Sequence, residues 1–217
     1  MSRKTDPFAV DLTPGLILRA YQAGIFPMAE DASSDDLFWV SPQRRGVIPL
    51  EAAHISRSLR KTLKHNPYSV RIDTDFEAVI EGCATAGTDR DSTWINAAIR
   101  RLYGELFRRG FVHTVEVWDG ADLVGGLYGV SIGAAFFGES MFHRKTDCSK
   151  IAMAHLLGRL KAGGYRLLDT QFITDHLRTF GGIEIAREDY ELRLADALKH
   201  DADWAAIDRG GPPPPLF

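Results

Sequence analysis

The chain has 217 residues, enough for one large domain or one domain with a small appendage. Hydrophobic residues make up 45% and charged residues 25%, ordinary globular values that exclude general disorder. With 26 basic and 29 acidic residues the formal net charge is -3, so the total does not announce a nucleic-acid binder, although a local basic patch remains open.

The two cysteines, Cys83 and Cys148, match no C-x-x-C or Cys/His metal spacing, so no metal or disulfide framework is expected and a reducing cytoplasm fits best. No run of about 18 apolar residues occurs, and "MSRKTDPFAV" has no long apolar core, so the expectation is a cytoplasmic protein with no signal peptide and no membrane span.

In chain order, Thr13 and Pro14 open a helix over "LTPGLILRAYQAG" that Gly24 stops. The following "IFPMAEDASSDDLFWVSPQRRGV" is rich in turn formers and aromatics, with an acidic, solvated insert from Glu30 to Asp36. Residues 1–48 therefore read as a small N-terminal domain. "HISRSLRKTLKHNP" reads as a helix ended by Asn66 and Pro67. Next come "YSVRID" as a strand and two helices, "DFEAVIEGCA" and "NAAIRRLYGELFRRG".

The stretch "VHTVEVWDGADLVGGLYGVSIGAAFFGESMF" reads as an antiparallel meander, with turns at Asp119–Gly120 and Ile132–Gly133. Asp147 is the expected N-cap of a helix carrying Met153, Leu156, Leu157 and Leu160, which Gly163 and Gly164 end. That helix leads into the strand "RLLDTQF", then "TDHLRTFG", "IEIAR" and a last helix, "EDYELRLADALK". Residues 49–205 form the main domain and 206–217 a Pro-rich tail. The pattern is α/β (α+β), like that of the GNAT acyltransferases, a fold likeness that does not by itself fix an activity.

Three constellations carry candidate chemistry. On a regular strand, Leu167, Asp169 and Gln171 share one face and Leu168, Thr170 and Phe172 the other. A core strand that aims a carboxylate and an amide the same way, with Glu139 on another apolar strand, reads either as a site or as a carboxylate that caps a helix or pairs with an arginine. Arg57, Lys61 and Lys64 form a basic stripe at helical spacing, with further arginines at Arg44 and Arg45, Arg100 and Arg101, and Arg108 and Arg109. Such stripes suit a phosphate backbone and also suit a solvated helix face. Trp39 and Trp94 sit beside loop residues, where an exposed ring can stack on a base or a peptide.

The motifs "AYQAGIFP", "WVSPQRRGVIP", "HISRSL", "STWI", "GGLYGVSIG", "FFGESMF", "SKIA", "LLDTQF" and "HLRTFGG" occur in this order. From about Leu16 to Leu198 the chain resembles the leucyl/phenylalanyl-tRNA–protein transferase family. The resemblance implies a GNAT-like acyltransferase domain with a small N-terminal domain, and an enzyme that needs no metal or coenzyme. It would move leucine, and also phenylalanine and methionine, from aminoacyl-tRNA to the N-terminal arginine or lysine of acceptor proteins, marking them for N-degron proteolysis.

It further implies catalytic roles for Asp169, Gln171 and Glu139, and a pocket for the transferred side chain made by Leu127, Phe136, Met141, Leu156 and Leu168. Trp39 and Trp94 would lie at the terminal adenosine, and Arg57, Lys61 and Lys64 on the tRNA. Val40 follows Trp39 where the family often has a second tryptophan, and Leu127 stands where methionine is common. Phe136 and Met141 have opposite parity, so both reach one cavity only if the strand bends or bulges near Gly138.

The alternatives are an acetyl-CoA-dependent N-acyltransferase and a non-catalytic tRNA-binding module. The turn "HRKTDCSK" lacks the glycines that let backbone amides approach a pyrophosphate, and a binding module does not need Asp169, Gln171 and Glu139 together.

Overall fold

A computed structural model describes residues 12–30, 37–85 and 94–209. Most of the expected acidic insert and the proline run of the tail lie outside the described residues. The first helix, α1 (Pro14–Gln22), starts as its sequence predicts: the Thr13 hydroxyl accepts from the Leu16 amide at 3.2 Å, and proline takes the first helical position.

The stretch after it, read as turns and aromatics, instead forms strands. Strands β1 (Phe26–Ala29) and β2 (Leu37–Val40) pair as a two-stranded antiparallel sheet, while β3 (Arg44–Val47) enters a larger one. Each is only four residues long and lies in a stretch rich in turn formers, aromatics and arginines, where a period-2 pattern does not stand out.

Helix α2 (Arg57–Lys64) is capped by Ser56, whose hydroxyl accepts from the Leu59 amide at 3.2 Å, and Leu59 anchors it to the core. Strand β4 (Ser69–Ile72), helix α3 (Phe76–Ala84) and helix α4 (Ala97–Arg108) follow as predicted. The meander is β5 (Val112–Asp119), β6 (Asp122–Ile132) and β7 (Ala135–His143). Its two turns are two-residue loops whose first residue, Gly120 or Gly133, has positive φ (60° and 55°).

Helix α5 (Cys148–Ala162) links β7 to β8 (Leu167–Gln171), and α6 (Asp175–Arg178), β9 (Ile183–Ala186) and α7 (Arg187–Ala197) complete the order. Asp147 does not cap α5 with its side chain: it is left-handed (φ 63°), and its carboxylate accepts from Lys150 Nζ at 2.8 Å. Ala206–Arg209 form a short 3-10 turn, pinned by Arg159, whose guanidinium donates to Asp208 at 2.6 and 2.7 Å.

The larger sheet has seven strands in the order β4-β5-β6-β7-β8-β3-β9. Every neighbouring pair is antiparallel except β7 and β8, which helix α5 connects. Core residues divide between two clusters as strand alternation requires. Tyr128 and Phe137 pack with α1, α3, α4 and α7, whereas Leu127, Phe136 and Leu168 pack with α2 and α5.

Candidate active site

The parallel strands β7 and β8 stay together only for Ala135–Phe137 against Leu167–Asp169. Beyond Phe137 and Asp169 they part, and a cavity of about 490 Å³ opens in the gap. A cleft at the carboxyl ends of parallel strands is a common place for ligands in α/β folds.

Two backbone irregularities shape this gap. On β6 and β7, Tyr128 pairs with Ser140 and Gly129 with Gly138, which leaves Glu139 as one extra residue, a β-bulge. A Cβ on Gly129 would lie 2.4 Å from the Phe136 ring and from the Phe137 carbonyl, so only glycine fits opposite this bend. At the end of β8, Gln171 adopts φ 56°, rare for a residue with a side chain. The turn packs against β3 at Gly46, where a Cβ would come within 2.7 Å of the Phe172 backbone.

The bulge turns Glu139 toward the cavity, where it meets polar groups from three other elements. Tyr21 of α1 donates to its Oε1 at 2.7 Å, Tyr103 of α4 to its Oε2 at 3.4 Å, and Gln171 Nε2 to Oε1 at 3.2 Å. The two tyrosine hydroxyls also lie within hydrogen-bond reach of each other, and with one proton apiece they donate only two of these three bonds at a time. Burial pushes the Glu139 carboxyl up to about 8; the Tyr21 hydrogen bond opposes this and the Asp169 charge adds to it. Burial and the nearby Glu139 raise both tyrosines, so they remain neutral donors. With Nε2 held by Glu139, the Gln171 Oε1 accepts no hydrogen bond among the described residues and is available to a ligand donor.

Asp169 is fully buried and does not line the cavity. Its carboxylate takes the fork of Arg45: Nε reaches Oδ1 at 2.9 Å and Nη2 reaches Oδ2 at 2.7 Å. Tyr190 of α7 donates to Oδ2 at 2.7 Å, and the Gln171 amide donates to Oδ1 at 2.8 Å. The expected shared face of Asp169 and Gln171 is therefore replaced by a different geometry. The left-handed turn swings Gln171 to the cavity, while Asp169 stays behind the strand and grips the turn by its backbone.

Arg45, read from the sequence as part of a surface basic concentration, is 1% exposed. Burial lowers its pKa, and the Asp169 carboxylate outweighs burial and raises it.

Of the remaining predicted residues, Leu127, Met141, Leu156 and Leu168 form the apolar end of the cavity, and Trp94 lies on its wall. The bulge does put Phe136 on the same side of the sheet as Met141, but Phe136 is not a lining residue. It sits one layer deeper, fully buried and stacked on Trp204 at 5.5 Å, because Gly129 leaves room for its ring beneath the sheet.

Trp39 is 41% exposed on β2 and paired across the small sheet with Pro27; Pro27, not Trp39, lines the cavity. Arg57, Lys61 and Lys64 are exposed on α2, away from the cavity lining, and form no ion pair among the described residues. In contrast, Arg100 pairs with Glu81, and Arg108 and Arg109 both pair with Glu105.

Sequence reasoning missed Phe26, Pro27 and Met28, which cover one side of the cavity from β1, and Met153 and Leu177, which deepen its apolar end. It also missed Arg45, Tyr21, Tyr103 and Tyr190, whose partners lie from 21 to 124 residues away in the chain. One signal was present: "RRG" puts an arginine inside an otherwise core-bound strand, and a buried arginine demands a carboxylate. Three cavity residues carry a buried polar atom with no hydrogen-bond partner among the described residues, Tyr128 Oη, Thr170 Oγ1 and His176 Nε2. Burial, with Lys150 and His143 nearby, lowers the His176 pKa, so that ring is neutral at pH 7.

The family description "Leucyl/phenylalanyl-tRNA protein transferase" matches residues 47–195, and its N-terminal domain matches residues 10–43. A leucyl/phenylalanyl-tRNA–protein transferase from Paramagnetospirillum magneticum is 56% identical over 198 residues, covering 91% of this chain and 93% of that protein. The proteins of that name from Rhodopseudomonas palustris and Maricaulis maris are 52% and 55% identical, covering 95% and 88% of this chain and 92% and 88% of their own lengths.

Proposed function

The chain belongs to the leucyl/phenylalanyl-tRNA–protein transferase family and is an aminoacyltransferase with an aminoacyl-tRNA donor and a protein acceptor; from that premise we propose its substrates and the work of its residues. The transferred residue is leucine, and also phenylalanine or methionine, and the acceptor bears an N-terminal arginine or lysine, which is thereby marked for N-degron proteolysis in the cytoplasm. No helix among the described residues is long and apolar enough to cross a membrane. The parting of β7 and β8 supports a GNAT-like reading of residues 49–205; with 1–48 as the small N-terminal domain and 206–217 as the tail, β3 (Arg44–Val47) is the segment of the first that joins the main sheet.

One observation carries the reading: a single cavity joins an apolar end to a polar end at Gln171 and Glu139. The ester of aminoacyl-tRNA is already activated, so the enzyme has to align it with an amine and help one proton leave. Unbranched-at-Cβ side chains enter between Leu127, Met141, Leu156 and Leu168, while valine and isoleucine are crowded at the neck. Trp94 flanks the terminal adenosine, and the exposed Arg57, Lys61 and Lys64 hold tRNA phosphates through sequence-tolerant contacts.

The attacking α-amine, whose free pKa is about 7.7 to 8.0, has a useful neutral fraction at cellular pH. Its N–H donates to Gln171 Oε1, which orients the lone pair on the ester carbonyl and stabilises the developing ammonium; as the C–N bond forms, the ester C–O bond breaks, and the proton lost by the amine ends on the departing ribose oxygen of the tRNA. Glu139 fixes the Gln171 amide through Nε2 and, once ionised, faces the cationic acceptor. Asp169 works at one remove, by holding the turn on which Gln171 sits.

The test is transfer of labelled leucine from Leu-tRNA to a model protein beginning with arginine, without added metal or coenzyme. Acetyl-CoA-dependent modification with no need for tRNA would overturn the proposal.

A further inference from the structure

We propose that Arg45 is a positioning residue for aminoacyl transfer: one buried guanidinium sets the Gln171 turn through Asp169 and docks the strand that covers the cavity. The proposal rests on the reading of Gln171 as the group that orients the amine. Arg45 spends its donors in two directions. Nε and Nη2 grip both oxygens of Asp169, and Nη1 donates to the Gly24 carbonyl at 3.0 Å. Its guanidinium carbon lies over the Phe26 ring at 4.6 Å and over the Tyr190 ring at 4.5 Å.

Each of these contacts leads to the site. The fork fixes the plane of the Asp169 carboxylate, and Oδ1 in that plane receives the Gln171 amide. That bond holds a residue with a side chain at φ 56°, a conformation that persists only when its surroundings impose it. Gly24 ends the turn after α1, the helix that brings Tyr21 to Glu139. Phe26 opens β1, which lines the cavity with Pro27 and Met28. The cover and the catalytic strand are thus keyed to one side chain.

Lysine cannot replace it, because an ammonium offers a point charge and not a planar fork with donors on two edges. A buried ion pair is a weak source of net stability and a good source of fixed geometry, which favours this role over a merely structural one.

The test compares Arg45→Lys, Asp169→Asn, the double variant and Gln171→Ala with the wild-type enzyme, measuring kcat and KM for Leu-tRNA, thermal melting, and hydrogen exchange at the Gln171 amide. Arg45→Lys is expected to lower kcat about ten- to a hundredfold per folded molecule, the scale of a misplaced reacting group. It should also speed exchange at Gln171, and the double variant should be no slower than Asp169→Asn alone. Losses that multiply in the double variant, or a lower melting temperature with normal kcat per folded molecule, would overturn the proposal.

If Arg45→Lys fails to fold, Tyr190→Phe removes one bond to the same carboxylate and leaves the ion pair. It should lower kcat severalfold with the fold intact, and an unchanged kcat and Gln171 exchange rate would overturn the proposal as well. Full activity in Gln171→Ala would defeat the underlying reading of Gln171. An inactive Gln171→Ala beside a fully active Arg45→Lys would defeat the Arg45 proposal alone.

Discussion

Asp169 holds Gln171 by its backbone and not by its side chain: Oδ1 accepts the Gln171 amide at 2.8 Å, while the Gln171 Nε2 turns away to Glu139. The two residues of the D-x-Q strand therefore fail differently when removed.

Gln171→Ala should leave the fold intact and cost about 2 to 4 kcal/mol of transition-state stabilisation, read as a fall in kcat at saturating Leu-tRNA and acceptor. Asp169→Ala leaves the buried Arg45 charge without a partner and should also destabilise the protein by about 3 to 5 kcal/mol, measured by urea unfolding. The sequence left open a carboxylate that pairs with an arginine, and the Arg45 fork is that pair, which is why the second substitution does not spare the fold. Equal stability of the two variants would contradict this division.

Phe136 and Leu127 separate in the same way. Leu127→Phe narrows the apolar end of the cavity and should depress phenylalanine transfer more than leucine transfer, by about 1 to 3 kcal/mol in the ratio of kcat/KM values. Phe136→Ala removes a ring stacked on Trp204 behind the cavity and should cost about 3 to 5 kcal/mol of stability while leaving the ratio unchanged. A changed ratio for Phe136→Ala would move that residue into the cavity wall.

Glu139 gives a pH test with a definite sign. Its pKa rises on folding from the ordinary 4.5 to about 8, so between these values the folded state holds a proton that the unfolded state has released. Its contribution to stability is full below about pH 4.5 and is lost as pH rises through about 8. The melting temperature of the wild type, relative to Glu139→Gln, should therefore fall across that window. Acceptor KM should move the other way, improving in the wild type relative to Glu139→Gln as the carboxylate ionises toward a cationic acceptor. Parallel pH profiles for the two proteins would remove Glu139 from both roles.

The exposed stripe on α2 is checked by salt. Neutralising Arg57, Lys61 and Lys64 together should weaken tRNA binding and reduce the slope of log affinity against log salt by about 2 to 3, one unit or slightly less for each phosphate no longer neutralised. An unaltered slope would return the stripe to an ordinary solvated face.

Local chemistry made much of the fold legible. Thr13 before Pro14, Asn66 with Pro67, and the turns at Asp119–Gly120 and Ile132–Gly133 each name a boundary within a few residues, and the structure places the start of α1, the end of α2 and the two hairpins there. The short strands β1, β2 and β3 were not legible, because their four residues each lie in a stretch rich in turn formers, aromatics and arginines, whereas the equally short β4 showed in the alternation of "YSVRID". Asp147 does stand at the N-cap position of α5 as expected, but in a left-handed conformation and without the side-chain bond that usually comes with that position. At the site, the apolar residues and Glu139 could be picked out one by one. What could not be read was the left-handed Gln171, which reverses the face assignment, or Arg45, whose reason for being buried lies 124 residues further along the chain.

The bulge at Glu139 also fixes a number. Before it, Phe137 feeds one core and Phe136 the other; after it, Met141 joins the core of Phe136. A one-residue deletion at Glu139 would restore a regular pleat and leave Met141 on the Phe136 side, so it would remove the carboxylate and the bend without turning over the rest of β7. A one-residue insertion beside the retained bulge would instead turn over Met141 and every residue that follows it on β7. The two changes of length should therefore fail differently: the deletion should lose the polar end of the cavity with the fold kept, and the insertion should lose stability.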